Sequence, residues 1–325
     1  MTGELTGKEH KDRQSGKPLV VAVVGPTCSG KTALSLKIAA LRKAEIVACD
    51  SRTIYRHMDI GTAKPTAAQR AAVPHHMIDV VDPDQGFTVA QYKDKAEAAI
   101  AQILERGALP LVVGGTGFYA RALLEGLEIP AVEPQPELRS ELRRFAEERG
   151  SQALHARLAA ADPASAARIG VNDVFRVVRA LEVSTVLGKP FSELVRRRPP
   201  PYNTLWIGLT ARNRQVLHQA IKERFINQMQ EGMLAEVEGL LDRYGRTHAI
   251  MNTVNYRELA LYLEGSMDRE TAEAECVKHN RQLARRQLIW FRANPHINWY
   301  YFDEATPRQL QEKILSFIDT HLERP

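Results

Sequence analysis

No apolar run in this 325-residue chain approaches the roughly 18 residues needed to span a bilayer. The stretch from Met1 to Pro18 is polar and charged, unlike an export signal. A cytoplasmic chain with residues 1–18 as a flexible tail is therefore expected. Cysteine is scarce: Cys28, Cys49 and Cys276 are an odd number, far apart and without C-x-x-C spacing. That argues against a disulfide framework and against a zinc site. A D-D-x-x-D aspartate cluster is also missing, which disfavours the chain-elongating isoprenoid synthases that hold diphosphate through Mg²⁺ and paired aspartates. Internal repeats and low-complexity tracts are absent.

What remains is an ordinary globular composition, 44% hydrophobic and 26% charged, with enough apolar material for one large domain or two smaller ones. A formal charge of +5 admits a polyanionic partner, and its distribution says where. Lys278, Arg281, Arg285, Arg286 and Arg292 fall within fifteen residues that contain no acid, whereas Glu133 to Gly150 mixes both signs. Nucleic-acid contact is expected late in the chain.

Leu19–Val24 is a valine-rich run followed by a Gly/Pro/Ser turn and then by helix-like composition from Ala33 to Ala44. Glu45–Ala48 and Leu109–Val113 read as further strands, with a helix over Val89–Glu105 between them. This alternation predicts an α/β fold, a P-loop NTPase-like parallel sheet flanked by helices, with its site at the C-terminal ends of the strands. From Glu133 to Gly188 the pattern is helical throughout. Leu138, Leu142 and Phe145 share one face, and Val174, Val177, Val178 and Leu181 another. Arg196–Arg198 and Pro199–Pro201 form a stiff basic connector, and Thr204–Leu209 returns to strand, with only helix expected beyond it. The predicted organisation is a core of 19–126 and 199–325, with C-terminal helices, and a helical insertion at 127–198.

Gly25-Pro26-Thr27-Cys28-Ser29-Gly30-Lys31-Thr32 fits G-x-x-x-x-G-K-[ST], after an apolar strand and before a helix. Glycines let backbone amides wrap a phosphate, and the helix N-terminus adds partial positive charge. Lys31 neutralises oxygens, and the Thr32 hydroxyl can join the shell of a Mg²⁺. The pattern specifies a diphosphate or triphosphate but not the reaction. A nucleotide kinase is one reading, although the nearest Walker-B candidate, Ile78-Asp79-Val80-Val81-Asp82, is a poor one. The adjacent histidines His75 and His76 lack a third ligand at zinc-like spacing.

Further on, Asp50-Ser51-Arg52-Thr53-Ile54-Tyr55-Arg56-His57-Met58-Asp59-Ile60-Gly61-Thr62-Ala63-Lys64-Pro65 resembles the second signature of the tRNA dimethylallyltransferase (IPP transferase) family. The family's other motifs follow in order: His75–Asp79, Gly114–Tyr119, Arg176–Glu182 and Arg285–Arg292. The resemblance implies a prenyltransferase that moves the dimethylallyl group of dimethylallyl diphosphate to N6 of adenosine 37, beside the tRNA anticodon. It makes Asp50 the base that takes the N6 proton and Thr116 and Arg224 the groups that join Lys31 and Mg²⁺ on the leaving diphosphate. It also implies tRNA contacts at Asp50, Ser51, Arg52 and Thr53, at Phe175, Arg176, Val177, Val178 and Arg179, and at Asn252, Thr253, Val254, Asn255, Tyr256 and Arg257. Late contacts fall at Arg281, Arg285, Arg286, Gln287, Trp290 and Arg292. The expected partners are the tRNA anticodon stem-loop and the prenyl donor, with no membrane, and the expected state is a monomer.

By residue type alone, Asp50 also reads as a helix cap, Thr116 as a turn residue and Arg224 as a solvated or ion-paired arginine. Two positions depart from the family pattern: Asn255 and His57 stand where many members carry glycine. Both need left-handed backbone if the turns are kept, and asparagine tolerates that best. The rival enzyme reading is an adenylate isopentenyltransferase, which shares the loop and Asp50 but takes a free nucleotide. The helical insertion and the late basic helix favour RNA.

Overall fold

Leu19–Val24 (LVVAVV) contains no turn former, and its β-branched side chains suit an extended, packed backbone. In the computed structural model, which describes residues 16–322, this run is the central strand β1, and Val20–Val24 are 0% exposed. Five further strands join it: β2 (Ala44–Ala48), β3 (His75–His76), β4 (Leu109–Gly114), β5 (Asn203–Thr210) and β6 (Asn298–Tyr301). Their order is β3-β2-β4-β1-β5-β6 and every pair is parallel. A parallel sheet needs crossovers that cover both faces, which explains why the central strands β1 and β4 are apolar on both sides. The site-forming loops leave its C-terminal edge after β1, β2 and β4.

Two strands depart from the sequence reading. Everything past Leu209 was expected to be helical, yet Asn298–Tyr301 (NWYY) pairs with β5 from Ile207↔Asn298 to Thr210↔Tyr301. Four residues are too few to show an alternation, and the run borrows its order from the strand beside it. His75–His76 pairs with Ile46 and Val47 at the opposite edge.

The described chain forms two compact units. The α/β unit comprises residues up to Asp84, Ala99–Thr116 and the chain from Pro200 onward; the helical unit comprises Gln85–Ala98 and Gly117–Pro199. Residues 117–126, grouped with the core from sequence, fall in the helical unit. Residues 1–15 of the expected tail lie outside the described residues. Among the described residues no helix is long and apolar enough to cross a membrane.

The α/β core packs Val21, Val23, Ile38, Leu111 and Ile207 against Ile314 and Ile318 of the helix Pro307–Leu322. An Arg42–Asp319 ion pair closes its rim. In the helical unit Leu142, Leu154, Leu158, Val177 and Leu181 form a separate core. Glu182, 0% exposed, lies in that unit and receives Arg139 Nε at 2.7 Å, Arg179 Nη1 at 2.6 Å and the Gln135 amide at 2.8 Å. Burial alone would raise its pKa, but these donors outweigh it and hold the carboxyl below its ordinary value. Asp162 similarly caps Pro163–Ala166 through the Ser165 amide and binds Ser192 through its backbone and hydroxyl.

Candidate active site

The phosphate loop turns because two residues permit it. At Gly25, φ is +145°, and a Cβ there would run into the Leu209 carbonyl, so only glycine lets β1 and β5 approach so closely. Gly30 is the left-handed N-cap of the helix Lys31–Leu41, whose first-turn amides have no intrahelical partner and are available to an anion. Cys28 holds φ +61°, a conformation that costs a residue bearing a side chain of order 1–3 kcal/mol. Lys31 Nζ donates to the Pro26 carbonyl at 2.6 Å, inside its own loop. Burial, countered by Asp50 and assisted by Arg224, lowers its pKa to about 8.

A cleft of about 290 Å³ joins this loop to the ends of β2 and β4. Thr27, Lys31, Thr32, Asp50, Thr116 and Arg224 all line it, so the structure brings together the three candidate catalytic residues and the key loop side chains. Asp50 Oδ1 accepts the Arg52 amide at 2.8 Å, a local turn that fixes the carboxylate instead of the expected alternative of a helix cap. Thr116 Oγ1 accepts the Ser51 amide at 3.0 Å, which ties β4's exit to β2's. Arg224, on the helix Arg214–Gln230, donates from Nη1 to Thr27 Oγ1 at 2.9 Å, so it is a loop-facing group and not a solvated one.

The donors present suit Mg²⁺. Thr32 offers a hard oxygen in the cleft, and no cluster of three His, Cys, Asp or Glu exists among the described residues. An ion here would draw its remaining ligands from diphosphate oxygens and water, as Mg²⁺ commonly does. The Walker-B candidate does not hold up: Asp79 sits at φ +56° and is bound by Lys64 and Arg70 at 2.6 Å each, while Asp82 pairs with Arg56. His75 lines the cleft and its Nδ1 lies 2.7 Å from the Val73 carbonyl. Burial keeps its pKa below the ordinary value. His76 contacts Glu45 instead.

Sequence reasoning missed the support of the cleft wall at Gly61–Pro65. Glu236, from the helix Met233–Tyr244, accepts the amides of Asp59, Ile60 and Gly61 at 2.9, 2.8 and 3.1 Å. The fully buried Tyr256 donates to it at 2.6 Å, and burial followed by Glu236 itself pushes that phenol's pKa well up. Gln228 donates to the Gly61 carbonyl at 3.2 Å. No motif marks Glu236 or Gln228, whose partners lie far away in sequence.

The residues assigned to RNA divide into accessible and internal groups. Asp50, Ser51, Arg52, Asn252, Val254, Arg286 and Gln287 line the cleft together with the buried Thr53 and Thr253, and Arg52 Nη2 donates to the Asn252 carbonyl at 2.9 Å. On the helix Val174–Leu187, Phe175 is 70% exposed, and exposed Arg176 pairs with Asp173. Val177 and Val178, at 0% and 2% exposed, belong to the helical core, so their side chains are packing groups and not RNA contacts. Arg179 is committed to Glu182 and the Val132 carbonyl. Tyr256 and Asn255 are likewise buried. Asn255 takes φ +77° and caps Tyr256–Leu263, and His57 takes φ +64°, so both replacements keep the left-handed backbone of the glycine they stand for. Arg257 pairs with Glu258.

On the helix Arg269–Arg292, Arg285, Arg286 and Arg292 are exposed and Trp290 is half-buried. Leu288 packs against Leu217 and Ile221. Arg281 is half-buried, and its charge joins burial and Arg214 in lowering the pKa of His218.

Residues 53–294 match the profile described as IPP transferase. A protein of Roseiflexus castenholzii named tRNA dimethylallyltransferase is 50% identical over 281 residues, covering 86% of this chain and 91% of its own. Its namesake in Synechococcus elongatus is 42% identical over 303 residues, covering 93% and 96%. Among solved structures, the tRNA isopentenylpyrophosphate transferase of Bacillus halodurans gives a TM-score of 0.71 at 37% identity, over 94% of this chain and 97% of that one. A eukaryotic dimethylallyltransferase acting on tRNA shares the fold, with a TM-score of 0.78 at 23% identity over 95% and 80%. Matched across most of its length, with a phosphate loop and a strand-end aspartate in one cleft, this chain belongs to the IPP transferase family.

Proposed function

We propose that the protein transfers a dimethylallyl group from dimethylallyl diphosphate to N6 of adenosine 37 in tRNA and releases diphosphate. The observation that carries this reading is the single cleft in which Asp50 faces the same space as Lys31, Thr32, Thr116 and Arg224. A carboxylate beside a diphosphate cradle suits alkyl transfer to a weak nucleophile. The exocyclic amine attacks the donor's first carbon as the bond from that carbon to the diphosphate oxygen breaks. The electron pair leaves with the diphosphate, and the N6 proton passes to Asp50. A carboxylate positioned by the Arg52 amide removes that proton as positive charge develops on nitrogen. Lys31 and Arg224 stabilise the charge that accumulates on the leaving group.

Thr32 would hold Mg²⁺ together with the diphosphate, and the ion supplies further positive charge to the leaving oxygens. Arg52, Asn252, Thr253, Val254 and Arg286 border the cleft where the base would enter, and Arg281, Arg285 and Arg292 offer cations to the RNA backbone. On the helical unit, Phe175 and Arg176 are the exposed pair suited to stacking and phosphate contact.

The test is nucleoside mass spectrometry of anticodon stem-loop RNA incubated with the protein, Mg²⁺ and dimethylallyl diphosphate. One dimethylallyl group on a single adenosine is expected. Prenylation of free AMP with untouched RNA would establish the nucleotide-directed reaction instead, and phosphate transfer from ATP would establish a kinase.

A further inference from the structure

Gln287 was expected at the RNA surface of the late basic helix, yet its side chain reaches the phosphate loop. Its Oε1 accepts the backbone amide of Thr27 at 2.8 Å, a contact between residues 260 positions apart in the chain. Its Nε2 lies against Gly115, where a Cβ would collide with it. Glycine at that point is what lets the amide group pass between the exits of β1 and β4. The Thr27 hydroxyl is held from the other side by Arg224 Nη1 at 2.9 Å.

We propose that Gln287 is a positioning residue for the prenyl donor: it clamps the rising limb of the phosphate loop at Thr27 and does not read RNA. Two features of the geometry lead there. A loop amide that donates to a side chain is withdrawn from the anion, so the clamp fixes where the cradle begins and leaves the amides from Cys28 to Thr32 for the diphosphate. Thr27 also orients Arg224, because its hydroxyl accepts from that guanidinium. Releasing the Thr27 backbone would therefore disturb the loop and the cation together. Both hold the diphosphate from the ground state onward, so donor binding should weaken, and turnover should fall with it as far as Arg224, which also stabilises the leaving group, is displaced.

The inference rests on the reading that this loop takes the donor's diphosphate, and the experiment separates the two. In the full-length protein, Gln287→Ala is expected to raise the Kd for inorganic diphosphate and the KM for dimethylallyl diphosphate about five- to tenfold, the loss of one hydrogen bond. RNA affinity and the salt slope of RNA binding should stay near wild type, and turnover should fall no further than donor affinity. Hydrogen exchange at the Thr27 amide, measured without ligand, should accelerate in Gln287→Ala. In Gln287→Glu, which keeps the acceptor oxygen, protection should return while the added negative charge leaves diphosphate binding weak.

Unchanged Thr27 exchange in the alanine variant overturns the clamp. So does an RNA affinity that falls as far as diphosphate affinity. If the alanine variant does not fold, the glutamate variant carries the comparison: lost Thr27 protection there together with wild-type diphosphate affinity refutes the proposal. A wild-type protein that fails to bind diphosphate refutes the donor reading, and exchange at Thr27 still decides the clamp.

Discussion

The Lys31 ammonium donates to the Pro26 carbonyl at 2.6 Å, so the loop hydrogen-bonds its own cation. Burial nevertheless outweighs the favourable field of Asp50 and leaves a pKa of about 8. A bound diphosphate would raise that value, because an adjacent anion favours the charged form.

Diphosphate affinity should accordingly depend on pH with a definite sign. Below about 8 Lys31 is charged in the free protein and contributes a constant amount. As pH rises through that value the free protein sheds a proton that the complex retains, and affinity should fall by up to about tenfold per pH unit. Titration calorimetry between pH 7 and 9.5 measures it. Lys31→Arg should flatten the curve, since guanidinium stays charged throughout; a wild-type curve already flat would show that Lys31 does not meet the anion.

Removing the carboxylate of Asp50 should separate binding from chemistry. Asp50→Ala is expected to bind anticodon stem-loop RNA within a few-fold of wild type and to lose about 10²- to 10⁴-fold in turnover, the usual range for a general base. Single-turnover prenylation at saturating donor is the measurement, and near-normal rates would take Asp50 out of the reaction.

Acid should loosen the helical unit through Asp162. Burial opposes its ionisation, but hydrogen bonds from Ser165 and Ser192 prevail and bring the pKa to about 2 from an ordinary 3.8. Its stabilisation, about 2 kcal/mol, is complete above the unfolded-state value and disappears as pH falls from 3.8 towards 2. Urea unfolding should show Asp162→Ala less stable than wild type at pH 6, with the gap narrowing at pH 2.5. A gap independent of pH would assign the effect to packing.

The late basic helix should reveal itself through salt. Replacing Arg281 and Arg285 with alanine removes up to two phosphate contacts, and the logarithmic salt slope of RNA affinity should become shallower by about one to two units. The exposed Arg143 and Arg144 make a fair control. Arg139 does not, because it is one of two arginines paired with the buried Glu182 and its loss is expected to destabilise the protein by about 1–3 kcal/mol. An unchanged slope in the first variant would mean that RNA binds elsewhere.

What the sequence disclosed depended on how local the physics is. Phosphate loop, strand and helix announce themselves within a dozen residues, because the backbone of Gly25–Thr32 and the valines of β1 answer to their immediate neighbours. The left-handed turns at His57 and Asn255 were legible for the same reason, as the family pattern put glycine there. Asn298–Tyr301 was not, since its order comes from β5. Glu236 was hidden altogether, and Gln287 was marked by its motif but assigned to RNA: each acts on a loop far away in the chain, which nothing in its local sequence reveals. Val177 and Val178 carried two signals at once, a helical apolar face and an RNA-binding motif, and burial decided for the face.

The neighbours of β1 reach as far along the chain as Asn203–Thr210, with the whole helical unit intervening. On a ribosome adding about 5–20 residues per second, the LVVAVV segment therefore emerges roughly ten seconds or more before β5 exists to pair with it. Through that interval the nascent chain displays a six-residue, uncharged, β-prone stretch. The same distant pairings that place Gly25 against Leu209 thus make early binding by a chaperone, or a pause in translation, consequential for yield.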